Sequence, residues 1–137
     1  MLELDAEVRS STAPERVWEL LADVGTWPEW ADFDEAAVES GSGLGEIRSF
    51  RHGRTRTRER VTVFEPPHRF GYDLVSGLPI RGYHAEVTLT PYGDGTHIRW
   101  HSTFRARVPG TGWLIRRSLQ RFVADTAGRL ARAAERP

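Results

Sequence analysis

Between Glu46 and Arg107 the chain alternates apolar and polar residues in runs separated by four turn signals: His52-Gly53, Pro66-Pro67, the loop SGLPIRG at 76–82, and Gly93-Asp94. This feature constrains the fold more than any other. Side chains along a strand point to opposite faces with period two, so a turn that fixes the pairing also fixes which residues share a face. A two-residue turn at His52-Gly53 sets Phe50 opposite Thr55 and Arg48 opposite Thr57. A turn at Pro66-Pro67 pairs Val63 with Phe70, Val61 with Tyr72 and Glu59 with Leu74. A turn at Gly93-Asp94 pairs Leu89 with Ile98, Val87 with Trp100, Ala85 with Ser102 and Tyr83 with Phe104.

In these registers one face collects Phe50, Val61, Val63, Phe70, Tyr72, Leu74 and Tyr83, followed by Ala85, Val87, Leu89, Ile98, Trp100 and Phe104. The opposite face collects Arg54, Arg56, Arg58, Arg60, His84, Glu86, Arg99, His101, Arg105 and Arg107, and reads as solvated. That placement argues against a catalytic role for either histidine. The inner face also holds Arg48, Thr55, Thr57, Glu59 and Ser102. A buried charge is costly unless paired, and Arg48 and Glu59 fall diagonally across one strand pair, where they could satisfy each other. Either that end of the sheet opens to water or the pair lines a ligand cavity. Tyr72, Tyr83 and Trp100 carry polar tips that need partners when buried, which suits either an aromatic core or an apolar pocket with a few orienting groups.

The flanks complete the pattern. Residues 2–9 alternate as a half-buried strand. In TAPERVWELLADVG, Thr12 and Glu15 have capping-box spacing, Pro14 suits a first turn, and Val17, Leu20, Leu21 and Val24 form one helical face ended by Gly25. DVGTWPEWADFD then places Trp27, Trp30 and Phe33 at three-residue spacing around Pro28. After VPGTG at 108–112, a helix of about 24 residues, roughly 36 Å long, carries Ile115, Leu119, Phe122, Val123, Thr126 and Leu130 as its apolar stripe. The order is strand, helix, short aromatic segment, about six antiparallel strands and a long helix: an α+β fold in a single domain spanning residues 1–137.

Nineteen arginines, with no lysine, balance nineteen acids, so the net charge gives no support for nucleic acid or an anionic membrane as the main partner. There is no cysteine, hence no disulfide framework or thiolate metal site. No apolar run approaches the roughly 18 residues needed to span a bilayer, and the alternating N-terminus does not read as a signal peptide, so a cytoplasmic location is expected. Neither metal-ligand spacing, nor a phosphate loop, nor a Ser-His-Asp arrangement is present; no metal and no cofactor are expected.

The segments VRSSTAPERVWELLADVGTWPEW, VTVFEPPHRFGYDL and GDGTHIRWHSTF, with the closing amphipathic helix, resemble the START-like (SRPBCC) superfamily, in its polyketide cyclase/dehydrase branch, across about residues 2–135. The resemblance implies a helix-grip fold: a curved antiparallel sheet of about seven strands around the C-terminal helix, two short helices after the first strand, and a cavity between sheet and helix. Its wall would be the inward set, with Phe122, Thr126 and Leu130 on the helical side. Trp30 and Phe33 would face inward as plug or lid, while Trp27 would staple helices to sheet.

The ligand-binding set is therefore expected to be Trp30, Phe33, Phe50, Thr57, Glu59, Tyr72, Tyr83, Trp100, Ser102, Phe122 and Thr126. Three functions follow. The first is binding of a hydrophobic small molecule such as a lipid, isoprenoid, quinone or polyketide, oriented by Arg48, Glu59, Tyr83 and Ser102. The second is a polyketide cyclase, aromatase or dehydratase, with Glu59 as base and Arg48 or Tyr83 stabilising an enolate. The third is an interaction module without a working pocket.

Overall fold

The computed structural model describes all 137 residues. Its elements are β1 (Leu2–Ser10), α1 (Pro14–Ala22), a 3-10 turn (Val24–Thr26), α2 (Trp27–Trp30), β2 (Glu35–Ser40), β3 (Ile47–His52), β4 (Thr55–Glu65), β5 (Arg69–Ser76), β6 (Ile80–Tyr92), β7 (Gly95–Ala106) and α3 (Gly112–Ala134). The strands form one antiparallel sheet in the order β1-β7-β6-β5-β4-β3-β2. Its apolar face closes on the helices in a helix-grip arrangement, around a core that includes Leu4, Val17, Leu21, Val87, Ile98, Ala127 and Leu130. No helix is long and apolar enough to cross a membrane.

The inward and outward faces follow the alternation, but all three hairpins depart in part from the expected pairing. The first hairpin turns at Gly53-Arg54, so His52 pairs with Thr55, Phe50 with Thr57 and Arg48 with Glu59. Gly53 supplies the positive φ of 61° at this turn, a conformation a glycine adopts without strain. Moving the turn by one residue shifts the pairing by two, which preserves the faces. The second hairpin keeps Val61 opposite Tyr72 and Glu59 opposite Leu74, then slips, so Val63 pairs with Gly71 and Phe64 with Phe70. This bulge turns Phe64 toward Trp18 of α1, with ring centroids 5.2 Å apart. Gly71 is needed there, because a Cβ would lie 2.9 Å from the Val63 side chain. On the last hairpin the expected pairs hold from Leu89–Ile98 to Ala85–Ser102, but the ladder slips between Arg81 and His84, so Tyr83 does not pair with Phe104 as expected, although their rings lie 6.1 Å apart.

The predicted capping box does not form. Ala13 is the N-cap of α1, and Thr12 faces the Ser10 hydroxyl at 3.0 Å. Nor does Gly25 end α1; Asp23 is its C-cap, and its carboxylate accepts from the Gly25 N–H.

Both sheet edges are managed. On β1, the Gln120 side chain accepts from the Asp5 N–H and donates to the Asp5 carbonyl, at 3.0 and 2.7 Å. β2 is short and presents Glu35 and Glu39, features that blunt pairing with another chain.

Along α3 the burial changes. Val123, Thr126, Ala127, Leu130, Ala131, Ala133 and Ala134 are buried, whereas Ile115, Leu119 and Phe122 are only half-buried. The second half therefore packs solidly on the sheet, and the first half leaves space beneath it.

Candidate functional site

That space is a cavity of about 320 Å³ between the sheet and the first half of α3. It sits at the lower end of the range of small-molecule sites, roughly 300–1,000 Å³. Ten of the sixteen lining residues are hydrophobic, so an occupant is held mainly by apolar contact. Its inner wall is formed by Trp27, Tyr72, Tyr83, Trp100, Val123 and Thr126, all buried. Half-buried Phe33, Leu74, Leu119 and Phe122 form the sides. Exposed His52, Thr55 and Ser118, with half-buried Leu78, surround the mouth. The mouth is thus assembled from the β3–β4 turn, the β5–β6 loop and α3.

The polar groups inside form two sets. Trp100 Nε1 donates to the Tyr72 hydroxyl at 3.2 Å, and the Tyr83 hydroxyl bonds Ser102 Oγ at 3.0 Å. Burial drives the Tyr72 phenol well above its usual range and pushes Tyr83 up to about 12, so both are neutral donors at physiological pH. The second set is Glu59 alone. Its carboxyl faces the cavity and makes no hydrogen bond to another protein group, and once ionised its charge adds to the upward shift of both tyrosines. Although the residue as a whole is half-buried, its carboxyl is turned into the cavity, and loss of water there lifts it to about 8, against the opposing pull of Arg48.

Arg48 does not pair with Glu59 as expected. Its Nε donates to Glu46, the residue just before β3, and its two terminal nitrogens donate to the Leu21 and Ala22 carbonyls at 2.9 and 2.6 Å. Those are orphan carbonyls of the last turn of α1, so the guanidinium closes that helix end. It also lies 4.8 Å from the Phe70 ring centroid. With its donors used this way, Arg48 is absent from the cavity wall and Glu59 is left without a dedicated counter-ion.

Of the expected ligand-contacting residues, Phe33, Thr57, Glu59, Tyr72, Tyr83, Trp100, Phe122 and Thr126 come together around the cavity. Trp30, Phe50 and Ser102 do not reach it. The two tryptophans exchange their expected roles: Trp27 lines the cavity, while Trp30 sits behind it, 4.9 Å between centroids, with Nε1 donating to Thr26 Oγ1. Phe50 packs at 5.3 Å from Trp27 and 4.8 Å from Phe33, as backing for both. Leu130 belongs to the solid core rather than to the cavity.

Sequence reasoning did not select His52, Thr55, Leu74, Leu78, Ser118, Leu119 and Val123 as binding residues. Alternation had already put Leu74 inside, and the helical stripe contained Leu119 and Val123. The displaced turn hid His52, and Leu78 lies in a loop without period. The outer histidines are paired outside the site: His84 with Asp73 at 2.6 Å, and His101 with Glu3 at 3.4 Å.

A family model described as polyketide cyclase/dehydrase and lipid transport matches residues 1–135. No curated protein matches the chain. Several solved structures share the fold. A START superfamily protein from Mycobacterium smegmatis superposes with a TM-score of 0.84 at 13% identity, covering 97% of both chains. The Zhui aromatase/cyclase from Streptomyces sp. R1128 gives 0.82 at 15% identity, over 98% of this chain and 94% of that one. Norcoclaurine synthase from Thalictrum flavum, solved with dopamine and hydroxybenzaldehyde, gives 0.78 at 13% identity, over 98% and 86% respectively. At such identities the likeness establishes the START-like helix-grip fold.

Proposed function

The chain belongs to the polyketide cyclase/dehydrase and lipid transport family, and on that premise we propose that it binds one apolar small molecule carrying a hydrogen-bond acceptor. The observation that carries this reading is the cavity itself: an aromatic and aliphatic chamber containing a lone carboxyl and two phenols. Removing apolar ligand surface from water supplies about 25 cal/mol per Å², and the polar tips select orientation. With Glu59 held at about 8, its carboxyl is protonated at neutral pH and donates to a carbonyl or ether oxygen. An anionic head group at that depth is disfavoured once Glu59 ionises. The ligand class is a lipid, isoprenoid, quinone or polyketide-like molecule whose carbonyl reaches Glu59.

Native mass spectrometry of protein purified without denaturation tests this. The expected result is a retained species with the mass of one small apolar molecule, lost on solvent extraction. Protein that arrives empty and takes up no neutral apolar probe contradicts the proposal.

One observation favours a second reading, that of an enzyme of the cyclase or dehydratase type. An acid titrating near 8 and free of protein hydrogen bonds is poised for proton transfer. Tyr83 then stands where it can hydrogen-bond a developing enolate. Under this reading Glu59→Gln abolishes turnover of a bound polyketide-like substrate while leaving its affinity intact. Under the binding reading no turnover exists to lose.

A further inference from the structure

We propose that the cavity-mouth end of the protein docks on an anionic lipid surface, with Val108, Trp113 and Leu114 entering the interface and the neighbouring arginines meeting the headgroups.

Three side chains support the apolar part. Trp113 is 67% exposed, Leu114 57% and Val108 53%, all in the short stretch that leaves β7 and starts α3. The other four tryptophans are at most 8% exposed, so the exposure of Trp113 is particular to this place. Trp at the boundary between water and hydrocarbon is favourable because its ring is apolar and its N–H is polar.

Charge supports the rest. From Gly95 to Ala124 the sequence contains no acid and six arginines. Arg105, Arg107, Arg116, Arg117 and Arg121 of that stretch make no salt bridge, unlike Arg99, which pairs with Asp5. The β3–β4 turn and the start of β6, at the same end of the sheet, add Arg54, Arg56 and Arg81, again outside every ion pair. The acids at this end, Asp32, Asp34 and Glu35, lie against the β3–β4 turn and are partnered there by His52, the Gly53 N–H and Arg51, so they do not neutralise the unpaired arginines. The charge left unpaired at this end is therefore basic, although the chain as a whole is neutral. A basic rim around exposed Trp, Leu and Val matches the chemistry of an anionic bilayer surface, where each basic residue contributes and salt screens the attraction. Leu119 and Phe122 on the same helix line the cavity, so docking here would set its mouth against the lipid.

The test uses vesicles of phosphatidylcholine alone and of phosphatidylcholine mixed with phosphatidylserine, with no cavity ligand added. Its failure therefore leaves the binding reading of the cavity standing, and the reverse. Cosedimentation is expected to be at least about tenfold stronger on the mixed vesicles and to weaken with salt. Tryptophan emission should shift to the blue on binding, and this shift should vanish in Trp113→Ala. The double variant Arg117→Glu/Arg121→Glu should bind at least about tenfold more weakly, with its thermal melt and its uptake of a neutral apolar probe unchanged. Equal binding to both vesicles, unaltered binding by the double variant, or association with an acidic protein but no vesicle would each overturn the proposal.

Discussion

From Val123 onward α3 meets the sheet through Ala127, Leu130, Ala131, Ala133 and Ala134, all buried in a continuous core. Before Val123 it meets the same sheet through Ile115, Leu119 and Phe122, all half-buried, above a cavity of about 320 Å³. The sheet differs in the same sense. Under the closed half it supplies Leu4, Val87, Leu89 and Ile98, which interdigitate; under the open half it supplies Tyr72, Tyr83 and Trp100, whose polar tips must be kept from packing face to face. One helix and one sheet thus make a solid core at one end and a chamber at the other. The difference comes from side-chain size and from which residues carry hydrogen-bonding atoms.

The largest effect is expected at the closed end. Arg48→Ala leaves Glu46 buried without its partner and strips donors from the Leu21 and Ala22 carbonyls, a loss of about 3–5 kcal/mol in urea unfolding. Leu130→Ala, at 0% exposure, should cost about 3 kcal/mol by the same measurement. A smaller value would mean that the closed half is not closed.

At the open end Glu59→Gln should do the opposite and stabilise, on the order of 2 kcal/mol at pH 7. The sign follows from the titration. Its folded pKa of about 8 lies above the ordinary 4.5, so the folded state holds the proton longer. The stability this group confers is fully present below pH 4.5 and falls as pH rises to about 8, by up to about 1.4 kcal/mol per pH unit. Melts of parent and variant from pH 4.5 to 8 should therefore diverge with rising pH. Parallel curves would place Glu59 in ordinary solvent. The smallest effect belongs to Leu119→Ala, which only enlarges an existing space and should cost less than about 1 kcal/mol.

How much of this the sequence disclosed depended on whether a turn or a partner did the deciding. Period-two alternation put Tyr72, Tyr83, Trp100 and Glu59 inside, and a one-residue error at the His52-Gly53 turn did not matter for the faces, because it moved the pairing by two. The bulge beyond Val61 was invisible, since nothing local marks where a ladder slips; Phe64 came to pack against the edge of the core unannounced. Arg48 shows a different limit. Its face and burial were readable, but its partners Leu21 and Ala22 lie 27 and 26 residues away, on a helix whose approach no strand pattern encodes. Trp27 and Trp30 exchanged roles for the same reason: a short helix of four residues has too few turns for its inward side to be read from spacing.

The claim at the centre is that the open end holds a guest and the closed end cannot. Fluorescence titration with the neutral probe N-phenyl-1-naphthylamine, on the parent and on Leu119→Trp, tests it most directly. The account predicts one site in the parent and at least about tenfold weaker binding when an indole fills the chamber, with the melting temperature little changed. Undiminished affinity in Leu119→Trp, or no binding by the parent, would contradict it.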